Sequence, residues 1–208
     1  MKVGVLGGTF DPIHVGHLML ADQVVNQLGL SKTLFVPSYR PPHKETGSIC
    51  SVDDRVEMIK RAIAGNDRFE LSTVERCIPG KGYTYKTLTV LKEEYDPGTE
   101  FYFIVGSDVL EDLVNFKCAE ELMKSCTFVS ALRPGADKGK LLALIDYLTK
   151  EFHASIQLIP FFEIGISSSL VRKSITAGES VRYFLPDSVI EYITQRQLYL
   201  FEKGATVV

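Results

Sequence analysis

Short apolar runs alternate with amphipathic stretches along the chain, and this alternation constrains the fold more than any other feature. "KVGVL" at 2–6 and "EFYFIVGSD" at 100–108 predict buried strands, the second because its apolar run is continuous. "HLMLADQVVNQLG" predicts a helix with apolar residues at i, i+3, i+4 and i+7, ending at Gly29. Such alternation favours right-handed crossovers between parallel strands. The sequence therefore predicts an α/β fold, a doubly wound parallel sheet with helices on both faces.

The same alternation continues to the C-terminus. Strands are predicted at 33–37, 69–73, 127–135 and 155–160, and helices at 52–65, 84–95, 141–152, 167–178 and 186–199. No internal repeat, low-complexity tract or long linker interrupts the 208 residues. A chain of this length can bury about 70% of its unfolded surface. We therefore expect a single domain over residues 1–208, closed by two C-terminal helices.

Composition argues against several classes of protein. Hydrophobic residues make up 45% and charged residues 24%, as in ordinary globular proteins, and the net charge of −3 lacks the basic excess of a nucleic-acid coat. No apolar stretch approaches a membrane-spanning helix, and the N-terminus shows no signal-peptide pattern. The four cysteines form no C-x-x-C pair and no zinc spacing with histidine. We expect reduced thiols in a cytoplasmic protein without nucleic-acid or membrane partners; a homo-oligomer remains open.

Two glycines, Gly7 and Gly8, follow the first predicted strand. In an open α/β sheet, ligands bind beyond the carboxyl ends of the strands, where the strand order reverses. Bare glycines let a ligand approach the main chain, and amides backed by a helix N-terminus favour an anion. "GVLGGTF" lacks the G-x-G-x-x-G spacing, and "PGADKGKL" is one residue short of a P-loop. The turn is therefore either a bare connection or an anion site of another kind.

His14 and His17 frame Gly16 in an H-x-G-H sequence. Residues three apart lie on one side of a first helical turn, so both imidazoles can face the glycine amides. A protonated imidazole donates two hydrogen bonds and titrates near cell pH, which suits a phosphate that gains charge. One packed histidine and one helix cap is the plainer alternative. Zinc, with Asp11 as third ligand, is another, but the H-E-x-x-H glutamate is missing and Asp11-Pro12 is typical of a turn, so no metal site is predicted.

The stretch "GGTFDPIHVGH" resembles the signature of the nucleotidyltransferase superfamily that carries an H/T-x-G-H motif. "ISSSLVR" resembles the second signature, with Ser169 where threonine is usual. Between them, "PPHK", "YTYKTL", "IVGSD" and "RPG" are similar to the bacterial nicotinate mononucleotide adenylyltransferases, in the same order over essentially the whole chain. Two departures stand out. Lys86 replaces a usual aspartate, and the chain has no tryptophan, which leaves Phe116 as the nearest ring.

The resemblance implies a Rossmann-like fold and a reaction. The adenylyl group of ATP would pass to nicotinate mononucleotide, giving nicotinate adenine dinucleotide and pyrophosphate, a step of NAD biosynthesis. Mg²⁺ would come with ATP, held mainly by phosphates and water. His14 and His17 would stabilise charge at the α-phosphate, while Arg172 and Lys44 would hold pyrophosphate. The expected ATP site comprises Gly7, Gly8, Thr9, Phe10, Gly106, Asp108, Ile166, Ser167, Ser168 and Ser169, and the expected mononucleotide site comprises Tyr83, Thr84, Phe116 and Lys44.

Several interpretations stay open at this point. Asp108, at the end of the fourth predicted strand, fits a ribose or Mg²⁺ contact as well as a helix cap, and the serine run fits capping as well as phosphate binding. Lys44 fits a phosphate clamp or a solvated lysine, and the loop from Ser38 to Cys50 is compatible with a lid. The rival functions are another adenylyl- or cytidylyltransferase such as phosphopantetheine adenylyltransferase, an enzyme that accepts nicotinamide mononucleotide equally, and a non-catalytic nucleotide-binding module.

Overall fold

The computed structural model describes residues 1–40, 49–132, 137–161 and 164–200. Within them, six strands form one parallel sheet: β1 (Lys2–Gly8), β2 (Lys32–Pro37), β3 (Phe69–Leu71), β4 (Glu100–Val105), β5 (Thr127–Leu132) and β6 (Ser155–Pro160). Their order is β3-β2-β1-β4-β5-β6. This confirms the predicted doubly wound, Rossmann-like sheet. The order reverses between β1 and β4, so a crevice is expected at their carboxyl ends.

Helices cover both faces of this sheet. In the described residues they are α1 (Val15–Leu28), α2 (Val52–Ile63), α3 (Thr84–Glu94), α4 (Ser107–Asp112), α5 (Ala119–Ser125), α6 (Lys138–Phe152), α7 (Ser168–Thr176) and α8 (Asp187–Arg196). Short 3₁₀ helices occupy Val74–Cys77 and Leu113–Asn115. None of the helices in the described ranges is both long and apolar enough to cross a bilayer.

Two predicted helix boundaries are confirmed by their caps. Gly29 ends α1 in the left-handed conformation, at φ 60° and ψ 40°. The Ser51 side chain accepts the Asp54 amide at 3.1 Å and begins α2. These caps place α1 and α2 directly after β1 and before β3, as the alternation predicted.

Some predicted boundaries are wrong. Gly7 and Gly8 belong to β1 and do not form a turn after it. Strand β4 ends at Val105, and Gly106 is the N-cap of α4, so Asp108 lies in the first turn of a helix and not at the end of a strand. Strand β3 is three residues long and the chain then enters a 3₁₀ helix. The predicted end of the fifth strand, at 135, lies within 133–136, which are outside the described residues, so this boundary stays a prediction.

Alternate residues of the central strands supply two separate cores. Leu6 and Ile104 pack with the buried faces of α1, α2, α7 and α8. Val5, Phe103 and Val105 point to the opposite face, where α3 to α6 cover the sheet. This is the period-2 geometry of a strand that is buried on both sides. The two cores hold β1 and β4 together and so fix the geometry of the crevice between their ends.

Candidate active site

A cavity of about 990 Å³ opens at the carboxyl ends of β1 and β4. Its size suits a nucleotide-scale ligand. Residues predicted from both ends of the chain meet in its wall: Gly7, Gly8, Thr9, His14, His17, Tyr83, Thr84, Gly106, Phe116, Ile166, Ser167 and Ser168. The crossover topology therefore gathers segments that lie more than 150 positions apart in the sequence into one crevice.

Of the two glycines at the end of β1, Gly8 is the one that a neighbour crowds, because a Cβ at Gly7 would make an ordinary van der Waals contact. A Cβ at Gly8 would lie 3.1 Å from the ring of Phe10, and one at Gly7 would lie 3.5 Å from the ring of Phe103. Phe10 is 2% exposed, and its ring packs edge-on against His17 at 5.0 Å between centroids. The side chain of Phe10 therefore supports the His17 ring from the protein side, and only its main chain is left for a ligand.

The two histidines form a stacked pair at the start of α1. His14 is the N-cap residue, with extended backbone, and the imidazole centroids of His14 and His17 are 3.7 Å apart. The backbone N–H of His14 donates to Nδ1 of His17 at 3.2 Å. Because Nδ1 accepts, the neutral ring of His17 carries its proton on Nε2. Gly16 is crowded, since a Cβ would lie 3.1 Å from Nδ1 of His14 and the ring would have to give way.

Burial makes both imidazoles neutral. Desolvation lowers the pKa of His14 to about 4. It lowers the pKa of His17 to about 3, with the neighbouring His14 adding to the effect. The expectation that protonated rings each donate two hydrogen bonds is therefore wrong for this structure. Each neutral ring offers one N–H. Nδ1 of His14 is buried and has no hydrogen bond to the described part of the chain.

Arg172 is anchored to the loop that leads into the histidines. Its Nη1 donates to the Asp11 carbonyl at 2.7 Å and lies 3.7 Å from Asp11 Oδ2, and its Nη2 donates to Ser169 Oγ at 3.3 Å. The guanidinium has five N–H donors, so these contacts do not use it up. Arg172 is half-buried and is thereby held close to the H-x-G-H turn.

Asp11 is a buried structural hub. It is 0% exposed, and its Oδ1 accepts from the Cys50 amide at 3.2 Å and from the Tyr199 hydroxyl at 2.8 Å. Asp11 therefore lies in a turn, as predicted, but its side chain bonds to distant parts of the chain and not to nearby amides. Among the described residues, no cluster of three or more His, Cys, Asp or Glu side chains could hold a metal ion.

The serine run at the start of α7 performs structural tasks. Ser167 caps the helix, accepting the Leu170 amide at 3.1 Å, which confirms the capping interpretation. Ser168 Oγ donates to the Pro12 carbonyl at 2.9 Å and joins α7 to the loop before α1. Ser169 Oγ accepts from Arg172. Any phosphate at this helix end would meet mainly backbone amides, with Ser167 and Ser168 beside them in the cavity wall.

Tyr83 and Thr84 lie at the start of α3, as the sequence predicted. The Tyr83 amide donates to the Lys81 carbonyl at 2.9 Å, so the first amides inside the helix, of Thr84 and Tyr85, are the candidates for an anion. Lys86 Nζ donates to the Pro79 carbonyl at 3.4 Å and lies 6.0 Å from the centre of the Tyr83 ring. The lysine at this unusual position therefore supports the loop before α3.

Other residues of the cavity wall were not predicted. Glu75 is half-buried and accepts hydrogen bonds from the Tyr39 amide and the Thr87 hydroxyl, both at 3.1 Å. Burial raises the pKa of Glu75. In sequence this residue resembles any acidic residue of a surface turn. The polar part of the missed set is Ser38, Glu75, Lys81, Thr87, Asn115 and Lys117.

Two predictions lie outside what the structure describes. Lys44 falls within 41–48, which are outside the described residues, and so does most of the loop from Ser38 to Cys50 that was compatible with a lid. The backbone of Asp108 is described as helical, but its side chain is not described. The roles of these residues remain predictions.

Known proteins resemble the chain over nearly its full length. The cytidylyltransferase-like family model matches residues 5–174. A probable nicotinate-nucleotide adenylyltransferase of Rubrobacter xylanophilus is 40% identical, over 96% of this chain and 92% of that protein. The corresponding protein of Geobacter sulfurreducens is 38% identical, over 96% and 98%. A solved structure of Plasmodium falciparum nicotinic acid mononucleotide adenylyltransferase complexed with NaAD aligns with a TM-score of 0.78, at 24% identity over 95% and 97%, and shows the same fold.

Proposed function

The chain belongs to the cytidylyltransferase-like family, with full-length relatives among the nicotinate-nucleotide adenylyltransferases, and we infer from this that it transfers the adenylyl group of ATP to nicotinate mononucleotide. The products are nicotinate adenine dinucleotide and pyrophosphate, in a step of NAD biosynthesis. One structural observation supports this inference. The H-x-G-H pair, the start of α3 and the start of α7 line a single cavity at the switch point of the sheet.

Adenylyl transfer needs positioning and charge stabilisation more than covalent chemistry. An oxygen of the mononucleotide 5′-phosphate attacks the α-phosphorus of ATP, and the bond to pyrophosphate breaks. Nε2–H of His17 is the donor that this chain can offer to an α-phosphate oxygen, because its Nδ1 is already occupied. Because the ring is neutral, no charge has to be buried before the substrate binds. The negative charge of the bound phosphate then makes the ring more basic. We propose that Arg172, which is anchored to Asp11 beside this turn, binds the leaving pyrophosphate.

The nicotinate carboxylate is assigned to the start of α3. The amides of Thr84 and Tyr85 are the first of the helix, where donors and the helix dipole favour an anion. The exposed lysines Lys81 and Lys117 also line the cavity and add positive charge. Phe116 is half-buried in the same wall and offers a ring face for stacking on the pyridine.

Three further features are proposed together with this reaction. Mg²⁺ accompanies ATP and is held mainly by phosphate oxygens and water, as is usual for nucleotide-bound Mg²⁺. Asp108, in the first turn of α4, is a candidate to approach that ion or a ribose hydroxyl. The cytoplasm is the compartment in which we place the reaction, and a homo-oligomer is compatible with it.

The deciding experiment measures pyrophosphate release by the purified protein with Mg-ATP and one acceptor at a time. Fast release with nicotinate mononucleotide and little with nicotinamide mononucleotide is expected. Comparable rates with both would keep the chemistry and refute the selectivity. Release only with phosphopantetheine would move the protein to another branch of the family. The matched control is His17→Ala, in which kcat should fall about 100-fold or more if the ring acts on the transition state.

A further inference from the structure

We propose that Glu75 is a positioning residue for the mononucleotide half of the site, where its carboxylate sets the position of the wall that receives nicotinate. The proposal rests on the function proposed above, and it goes beyond it by assigning a role to a residue that no motif contains. Glu75 lines the cavity from the 3₁₀ helix Val74–Cys77, which directly follows β3.

The carboxylate joins three segments of chain. Its Oε2 accepts the Tyr39 amide at 3.1 Å, just beyond the end of β2. Its Oε1 accepts the Thr87 hydroxyl at 3.1 Å, on the first full turn of α3. Thr87 is only 2% exposed, so this bond is shielded from water and is expensive to leave unmade. One side chain thus ties the segment after β2 and the start of α3 to the segment after β3.

The same carboxylate also supports the residue that precedes Tyr83 and Thr84. A Cβ built on Gly82 would lie 2.5 Å from Oε2 and 3.1 Å from Cδ of Glu75. A side chain at position 82 would therefore meet this carboxylate and push it away from its hydrogen bonds to Tyr39 and Thr87. Because Gly82 leads into the helix start, the position of this carboxylate determines where the first amides of α3 lie.

Electrostatics indicates that Glu75 positions the wall and does not bind the nicotinate carboxylate. A carboxylate repels the nicotinate carboxylate and cannot serve as its ligand. Both carboxylate oxygens are turned to donors of the protein, the Tyr39 amide and the Thr87 hydroxyl. The positive charges beside the cavity, on Lys81 and Lys117, are the groups suited to attract the acid. Shaping the subsite is the task that remains for Glu75.

The test separates the two substrates kinetically. Wild type, Glu75→Ala, Glu75→Gln and Thr87→Val are compared, with Glu70→Gln as matched control. Glu70 is exposed on β3 and pairs with Lys32 at 2.6 Å, outside the cavity wall. KM for nicotinate mononucleotide should rise about tenfold in Glu75→Ala and about threefold in Thr87→Val, with KM for Mg-ATP within about twofold of wild type. Glu70→Gln should match wild type in both.

Thr87→Val keeps the test decisive if the Glu75 variants fail to fold. It removes one hydroxyl and keeps the branched shape of the side chain, so it breaks a single bond to Glu75 in an otherwise intact protein. Thermal unfolding and the calorimetric Kd for nicotinate mononucleotide are measured on the same samples. A weaker Kd that parallels the rise in KM is expected.

The outcomes distinguish this inference from the proposed function. An unchanged KM and Kd for the mononucleotide in Thr87→Val and in the folded Glu75 variants would overturn the role of Glu75, while a wild type that forms the dinucleotide keeps the proposed function. Equal increases of KM for both substrates would also overturn it, because a general loss of structure has no preference for one half of the site. A wild type that makes no dinucleotide would overturn both.

Discussion

The residue between the two histidines shows how tightly the H-x-G-H turn is packed. The His14 ring lies over the main chain of Gly16, and the His14 amide is bonded to the ring of His17. The edge-on ring of Phe10 supports His17 from the protein side. The order histidine, any residue, glycine, histidine therefore follows from contacts within a single helical turn. His14, Gly16 and His17 each make one of these contacts, so a change at any of the three positions would disturb the turn.

Gly16→Ala is expected to damage catalysis far more than folding. The new Cβ would lie 3.1 Å from Cε1 and Nδ1 of His14, so the imidazole has to shift from its present position by a few tenths of an ångström. An alanine is otherwise favourable in a helix, by up to about 1 kcal/mol relative to glycine. We expect kcat to fall about tenfold or more while Tm stays within a few degrees. Gly98→Ala is the control, because a Cβ there meets no atom within 4 Å, and it should keep wild-type kcat.

The neutral histidines predict a pH dependence of stability. Each imidazole has a pKa of about 4 or about 3 when folded, against 6.5 for the ordinary group, so the unfolded chain binds protons more readily. Their contribution is fully present above pH 6.5 and is lost as the pH falls toward the folded pKa values. The loss by pH 4.5 should be on the order of 2–5 kcal/mol for the pair.

The measurement is denaturant unfolding of wild type and His17→Asn at several pH values between 7.5 and 4.5. Asparagine keeps an acceptor for the His14 amide but cannot bind the proton. The variant should lose less stability over this range than wild type. Identical slopes for the two proteins would show that His17 is not the group that protonates on unfolding.

At the scale of secondary structure, α2 holds together the segments that follow two neighbouring strands. Arg55 is 1% exposed, and its Nη1 donates to the Thr9 carbonyl at 2.6 Å, after β1. Its Nη2 donates to the Ser38 carbonyl at 2.8 Å, after β2, and its Nε donates to the Cys50 carbonyl at 3.3 Å. Thr9 and Ser38 both line the cavity. The planar fork of the guanidinium is suited to bind three carbonyls at once.

Arg55→Lys should therefore destabilise the protein although the charge is kept. A single ammonium cannot reach all three carbonyls, and buried acceptors are left unpaired. The expected loss is about 2–4 kcal/mol in the free energy of unfolding, measured by urea titration. Arg61→Lys on the same helix is the control, since Arg61 bonds a partly exposed Glu57 at 2.8 Å. That change should cost about 0.5 kcal/mol or less, and a comparable loss in both variants would refute the special role of Arg55.

Across the whole molecule, the site lies where the two halves of the sheet meet. The segments that follow β1 and β3 contain the histidines and Glu75, while β4 to β6 lead to Gly106, Phe116 and the start of α7. A dinucleotide that spans the cavity contacts both halves and should stabilise the folded chain as a unit. Such a ligand binds the native state and not the unfolded chain.

Nicotinate adenine dinucleotide is accordingly expected to raise the stability by about 2.7 kcal/mol at a concentration 100 times its Kd. Differential scanning calorimetry with increasing ligand measures the effect as a rise in Tm. Inorganic phosphate at the same concentration is the control and should shift Tm far less, because it occupies only one subsite. An equal shift with phosphate would mean that the two halves are not bridged.

The sequence predicted most of the secondary structure but not all of it. Helix α5 was missed because it has seven residues and its N-cap, Cys118, has the left-handed conformation and no capping side-chain bond. Its formation depends on the burial of Leu122 and Met123 against the sheet. The end of β4 was placed three residues too late, because the apolar run itself does not show where the main chain turns into α4.

The sequence by itself determined the doubly wound fold, through hydrophobic periodicity, and the residues of the two outer signatures, through local spacing. Both depend on residues that are close together in the sequence, so both can be recognised without the folded structure. Only the tertiary structure decided that His14 and His17 are neutral, that Phe10 is buried against His17 and that Glu75 lines the cavity. The physical reason is that desolvation and contact with distant segments depend on what the folded chain places around a residue. No window of neighbouring residues contains that information.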